Sequence, residues 1–135
     1  MQDISHKIIK GIYLTMYSLG CSEISILSED IEKQVLLFER ILLEYDINMG
    51  EVFNKTSIFG DYEIYVYRLF EIFSNSKLGY ITDDYKKIII NIPDYWLKKE
   101  LAKISEYQEP ITRCAKEYLG LAKTSNTECP TLILK

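Results

Sequence analysis

The chain has 135 residues, 47% of them hydrophobic and 27% charged, with sixteen Lys and Arg against twenty Asp and Glu. That is the size and mix of one compact domain able to bury a core without metal or disulfide staples. No apolar run approaches the roughly eighteen residues of a membrane span, and the opening MQDISHKIIKG lacks the layout of a signal peptide, so a cytoplasmic protein with no membrane partner is expected.

The net charge of −4 argues against strong unassisted binding to nucleic acid, whose affinity comes from counterions displaced by Lys and Arg. The charge is also uneven. Ser22 to Glu71 holds eleven carboxylates against Lys33, Arg40, Lys55 and Arg68, a balance of −7, whereas Lys86 to Lys123 has a balance of +3. Ordinary solvated helix faces account for this, and so does an acidic and a basic surface meeting different partners. Cys21, Cys114 and Cys129 are odd in number and share no short spacing, so free thiols are expected, Cys114 as a small core residue and Cys129 in a polar tail.

Apolar residues at Ile4, Ile8, Ile12 and Met16, widened by Ile9, Tyr13 and Tyr17, predict a first helix from Ile4 to Leu19, with Gly20 as its stop. Glu23 to Leu27 alternates Ile24 and Ile26 with polar neighbours and fits either a brief strand or an extended connector. Ser28, Glu29 and Asp30 then supply a cap and negative charge for a helix through Ile31, Val35, Phe38, Leu42 and Tyr45. Leu36, Leu37, Ile41 and Leu43 widen its apolar face until little of it is polar, which makes it central to the core. Asp46 to Gly60 reads as a loop whose Val52, Phe53, Ile58 and Phe59 need cover from this domain or from a partner.

Asp61 is expected to cap a third helix, dense in aromatics, that runs through Tyr62, Tyr65, Leu69 and Phe73. Tyr80 to Thr82, the pair Asp83 and Asp84, and Lys86 to Ile92 then read as a β-hairpin, ended by Pro93. Asp94 caps a helix through Trp96, Leu101 and Ile104, and Pro110 opens a last one through Cys114 and Tyr118. The pattern predicts a mostly α (α+β) fold, a helical domain with a winged-helix-like helix plus β-hairpin. One domain is expected over residues 1–123, with a tail at 124–135 that either docks Leu132, Ile133 and Leu134 or stays mobile.

A DNA-reading helix at Asp61 to Ser76 would offer Arg, Lys, Asn or Gln to the major groove. Here the charges are Asp61, Glu63, Arg68 and Glu71, a poor set for that task. Lys86 and Lys87 supply the hairpin with the cations a wing would set on nucleic acid, and equally fit the solvent face of an edge strand, where lysine deters unwanted pairing.

Catalytic constellations are hard to assemble. His6 is the one histidine, no phosphate-binding glycine motif can be written, and the acid pairs Glu29–Asp30 and Asp83–Asp84 are explained by a helix start and a turn. No enzyme activity, cofactor or metal is expected. Of eleven tyrosines, Tyr62, Tyr65, Tyr67, Tyr80, Tyr85 and Tyr95 fall around the third helix and hairpin, which fits a protein interface and also a core with hydroxyls at its rim. The residues nominated for the interface are Phe53, Ile58, Phe59, Tyr62, Tyr65 and Tyr80.

Val35 to Tyr45 (VLLFERILLEY), an irregular loop, the arginine-bearing helix Asp61 to Ser76 and the phrase Leu78-Gly79-Tyr80-Ile81 before a short hairpin are together similar to the middle component of ABC-three-component systems, over roughly residues 30 to 120. Ile47 to Phe59 lacks the histidine-proline loop of some members. The resemblance implies a small adaptor encoded beside an SMC-like ABC ATPase and an effector-bearing protein, as in Lamassu-type defence, where such complexes sense foreign DNA of phages or plasmids. Two other readings stand beside it. One is an acidic immunity protein or antitoxin that covers a toxin; the other is a winged-helix DNA-binding regulator.

Overall fold

In the computed structural model, which describes residues 4–55, 61–74 and 77–120, the four-residue spacing of Ile8, Ile12 and Met16 closes into helix α1, Ile4–Ser18. Gly20 ends it with φ 103°, a left-handed turn in which the Cys21 N–H reaches back to the Met16 carbonyl at 3.0 Å. The weak alternation that follows is strand β1, Glu23–Ser25, and the long apolar period is helix α2, Ser28–Glu44. A 3-10 turn over Gly50–Phe53 precedes helix α3, Glu63–Ser74, and the hairpin of strands β2, Gly79–Ile81, and β3, Lys87–Ile90. Helix α4, Asp94–Ala102, a second 3-10 turn and helix α5, Gln108–Tyr118, complete the described chain.

The sheet runs β1-β3-β2, antiparallel throughout, with Ile24 opposite Ile88 and Tyr80 opposite Ile89. The fold is therefore α+β and mostly helical. Its winged-helix-like part has α3 leading into a hairpin whose second strand also pairs with the strand between α1 and α2. This corrects one expectation. β3 is the central strand, not an edge, because β1 crosses over to cover it. Gly79 permits the close pairing of β2, since a Cβ there would run into the Ile89 carbonyl.

The buried side chains form one hydrophobic cluster. Ile88 and Ile90 of β3 join it on alternate positions, with α5 laid across α1 and α2. Cys114 lies inside it as expected, and burial pushes its thiol up to about 12. Cys129 and the tail at 124–135 lie outside the described residues. α2 packs on the core as expected through Ile31, Val35, Phe38, Ile41 and Leu42, but its buried face is narrower than its apolar residues suggest, since Leu36 and Leu43 face solvent.

The expected caps are each displaced. Leu27 and Pro93, without side-chain caps, precede α2 and α4, so Ser28 and Asp94 sit inside the first turn. The Val66 N–H bonds the Tyr62 carbonyl at 3.1 Å, which puts Tyr62 rather than Asp61 at the start of α3. Pro110 lies in the first turn of α5, two residues beyond its start at Gln108.

Candidate functional site

The residues nominated for an interface separate once the fold is known. Phe53 is 3% exposed and its ring centre lies 5.8 Å from that of Tyr65, which is wholly buried. The loop aromatic is covered by this chain's own third helix, so Phe53 and Tyr65 are core, not interface. Tyr62 is buried too, at the mouth of a groove described below. Tyr80 is 55% exposed on β2. Ile58 and Phe59 lie outside the described residues.

Burial of α3 explains what remains available. Tyr65, Leu69, Ile72 and Phe73 face the core, a helical stripe that leaves Glu63, Tyr67, Glu71 and Ser74 outward and Phe70 half-buried at the edge. Tyr67 is 68% exposed. On the hairpin, Tyr85 is 65% exposed and lies parallel to Phe70, with ring centres 5.9 Å apart at 13°. α3 and the hairpin therefore share one aromatic surface made by Tyr67, Phe70, Tyr80 and Tyr85. Only Tyr80 of these was nominated from sequence. The missed signal is helical phase, since Tyr67 and Phe70 are the aromatics out of step with Tyr65, Leu69 and Phe73.

The hairpin turn that aims Tyr85 is built by its own polar groups. Thr82 Oγ1 donates to Asp84 Oδ1 at 2.6 Å, and the Lys86 N–H donates to the same carboxylate at 3.1 Å. Those two bonds hold the Asp84 carboxyl below the usual range. Tyr85 itself adopts φ 59°, so its backbone is strained into the turn.

Tyr67 and Phe70 of the aromatic surface also line a groove of about 650 Å³ that opens between α3 and the start of α2. Ile26, Ile31, Val66 and Phe70 form its apolar walls, and Tyr62 and Tyr67 also line it. Its lips are acidic: Glu29 and Glu32 on α2, Asp61 and Glu63 at the start of α3, with no lysine or arginine among the described residues that line it. Burial raises the Tyr62 hydroxyl, and the charges of Glu32 and Glu39 raise it further, a sign of the negative field at this end. Lys55 Nζ stands 6.0 Å from the centre of the Tyr62 ring.

Several cations of α3, the sheet and α5 are held in ion pairs. Arg68, the one cation of α3, bonds Glu71 at 2.9 Å; Lys87 reaches Glu23 across the β1 and β3 pair at 3.2 Å; Arg113 holds Glu44 at 2.7 Å and Glu117 at 3.0 Å. Lys86 lies in the hairpin turn, exposed, where its backbone serves the Asp84 bond. Among the described residues there is no group of three or more His, Cys, Asp and Glu placed to hold a metal ion. Among them, too, no helix is long and apolar enough to cross a membrane. In comparison with known proteins, no family model, no curated protein and no solved structure matches the chain.

Proposed function

We propose that this protein is a non-catalytic adaptor subunit that uses the winged-helix recognition surface to hold another protein rather than to read DNA. The outward face of α3 carries this reading. Where base recognition needs free Arg, Lys, Asn or Gln, that face presents Tyr67, Phe70, Glu63 and Glu71, and Arg68 is bonded to Glu71. Phosphate would be repelled there, whereas exposed aromatics with a polar tip are the side chains that dominate protein interfaces.

The resemblance to ABC-three-component middle subunits supplies the setting: an assembly with an SMC-like ABC ATPase and an effector, in defence against phage or plasmid DNA, with the chemistry done by those partners. The acidic lips of the α2 and α3 groove favour a second reading, an immunity protein or antitoxin that covers a basic active site.

The test is purification of the full chain from its native host. A stoichiometric companion is expected, lost on combining Tyr67→Ala with Tyr85→Ala while the chain keeps its helical circular dichroism and a cooperative thermal transition. A large coiled-coil ATPase among the companions supports the adaptor, and a small toxin supports immunity. A chain that purifies alone, or a companion indifferent to both substitutions, overturns the interface on α3.

A further inference from the structure

We infer that the groove between the start of α2 and α3 seats a cationic amphipathic segment of the partner protein, one or two large apolar side chains in the cleft with Lys or Arg on either flank. The inference rests on the adaptor reading and adds the chemistry of what is held.

Shape and charge each remove alternatives. A groove of about 650 Å³ with walls of Ile26, Ile31, Val66 and Phe70 takes bulky apolar groups, so a purely basic tail leaves its favourable surface unused. The lips exclude the opposite case. Glu29 and Glu32 are exposed and one turn apart on α2, on the same side of the cleft, and Glu39 adds to the field that raises the Tyr62 hydroxyl. An acidic or phosphate-bearing segment would meet like charge along that lip, at close range and in partly apolar surroundings. Apolar anchors in the cleft with cations on the lip satisfy both features. The charge also steers the approach, since a negative cleft with low-dielectric walls concentrates a cationic partner before contact.

The full-length chain, labelled with nitrogen-15, is titrated with three short synthetic peptides: leucine with lysine, leucine with glutamate, and serine with lysine. The leucine-lysine peptide is expected to move the amide resonances of Ile31, Glu32, Val66 and Phe70 and to bind at least about ten-fold tighter than the other two. Combining Glu29→Lys with Glu32→Lys should lower that affinity about ten-fold, since it replaces two exposed attractions with like-charge repulsion. Equal binding of the leucine-glutamate peptide, resonance changes confined to other surfaces, or indifference to the double reversal overturns the inference.

The companion from the native host separates this failure from that of the adaptor. If the companion survives the double reversal yet is lost with Tyr80→Ala and Tyr85→Ala, two hairpin residues outside the groove, the groove is not its seat and the adaptor reading stands. Survival through both sets overturns both. A homodimer in sedimentation that the double reversal dissolves would put a second copy of this chain in the groove and overturn the foreign partner.

Discussion

The Tyr65 hydroxyl donates to Gln34 Oε1 at 3.1 Å, and that bond ties the helix bearing the outward aromatics to the middle of α2. Tyr13 of α1 donates to the same oxygen, and the two tyrosine hydroxyls lie 3.0 Å apart. The Gln34 amide nitrogen donates to the Ser25 carbonyl at 2.9 Å and to the Tyr118 hydroxyl at 3.2 Å. One wholly buried amide thus joins α1, β1, α2, α3 and α5, and burial pushes the Tyr13 and Tyr65 hydroxyls far above their ordinary range.

Loss of that amide should be severe for its size. Gln34→Leu keeps the bulk but removes the acceptor shared by Tyr13 and Tyr65, which leaves one of the two hydroxyl protons without a partner, and the donor to the Ser25 carbonyl and Tyr118; unsatisfied buried groups cost about 1–3 kcal/mol each. We expect a fall in unfolding free energy of about 3 kcal/mol in urea titration. A change below about 1 kcal/mol would mean that the surrounding groups find other partners or water.

Two aromatic substitutions should behave oppositely. Phe53→Ser empties a core position beside Tyr65, and deletions of this kind cost about 3–5 kcal/mol. Tyr67→Ala removes an exposed ring and should leave stability within about 0.5 kcal/mol. Thermal melts of the two variants side by side check the assignment of core and surface. A stable Phe53→Ser variant would return Phe53 to the interface.

That contrast also marks how far sequence reasoning reaches in this chain. The periods of α1, α2 and α3 were plain because each buries a continuous stripe, and the run Lys86 to Ile92 announced its hairpin through β-branched residues. The crossover of β1 onto β3 was not readable, because three residues of weak alternation say nothing about their partner. Nearness along the chain groups the inward Tyr65 with the exposed Tyr80. Only helical phase separates an inward tyrosine from Tyr67. The groove depends on two helices distant in sequence, so its lips were visible as a net charge but its walls were not. The caps of α2 and α4 fall one residue earlier than the polar residues suggest: Leu27 and Pro93 precede the helices without a side-chain cap bond, and Ser28 and Asp94 lie in the first turn.

Duplex DNA provides a direct check on the surface of α3. With Glu63 and Glu71 outward and Lys87 held by Glu23, the isolated chain should show no retention of duplex DNA by fluorescence anisotropy, even at low salt where phosphate contacts are strongest. Saturable, sequence-selective binding by the purified chain would favour the DNA-binding regulator and displace the adaptor.

Acid should act on the junction of α1 and α4 through Glu100. Burial alone would raise this carboxyl, but Lys10 at 3.2 Å and Lys103 at 3.2 Å outweigh it, and the group sits below its ordinary range. The indole of Trp96 donates to the same carboxylate at 3.3 Å. A carboxyl with a folded-state pKa below its unfolded value contributes stability that is complete above the unfolded carboxylate range and is lost as pH falls through the folded value. Glu100→Gln removes the charge and leaves an amide that can still accept from Trp96. The gap in urea midpoint between the natural chain and Glu100→Gln should therefore be widest at neutral pH and close as the solution is acidified. A gap that stays constant down through that range would mean that packing of the side chain, rather than its charge, holds α4 against α1.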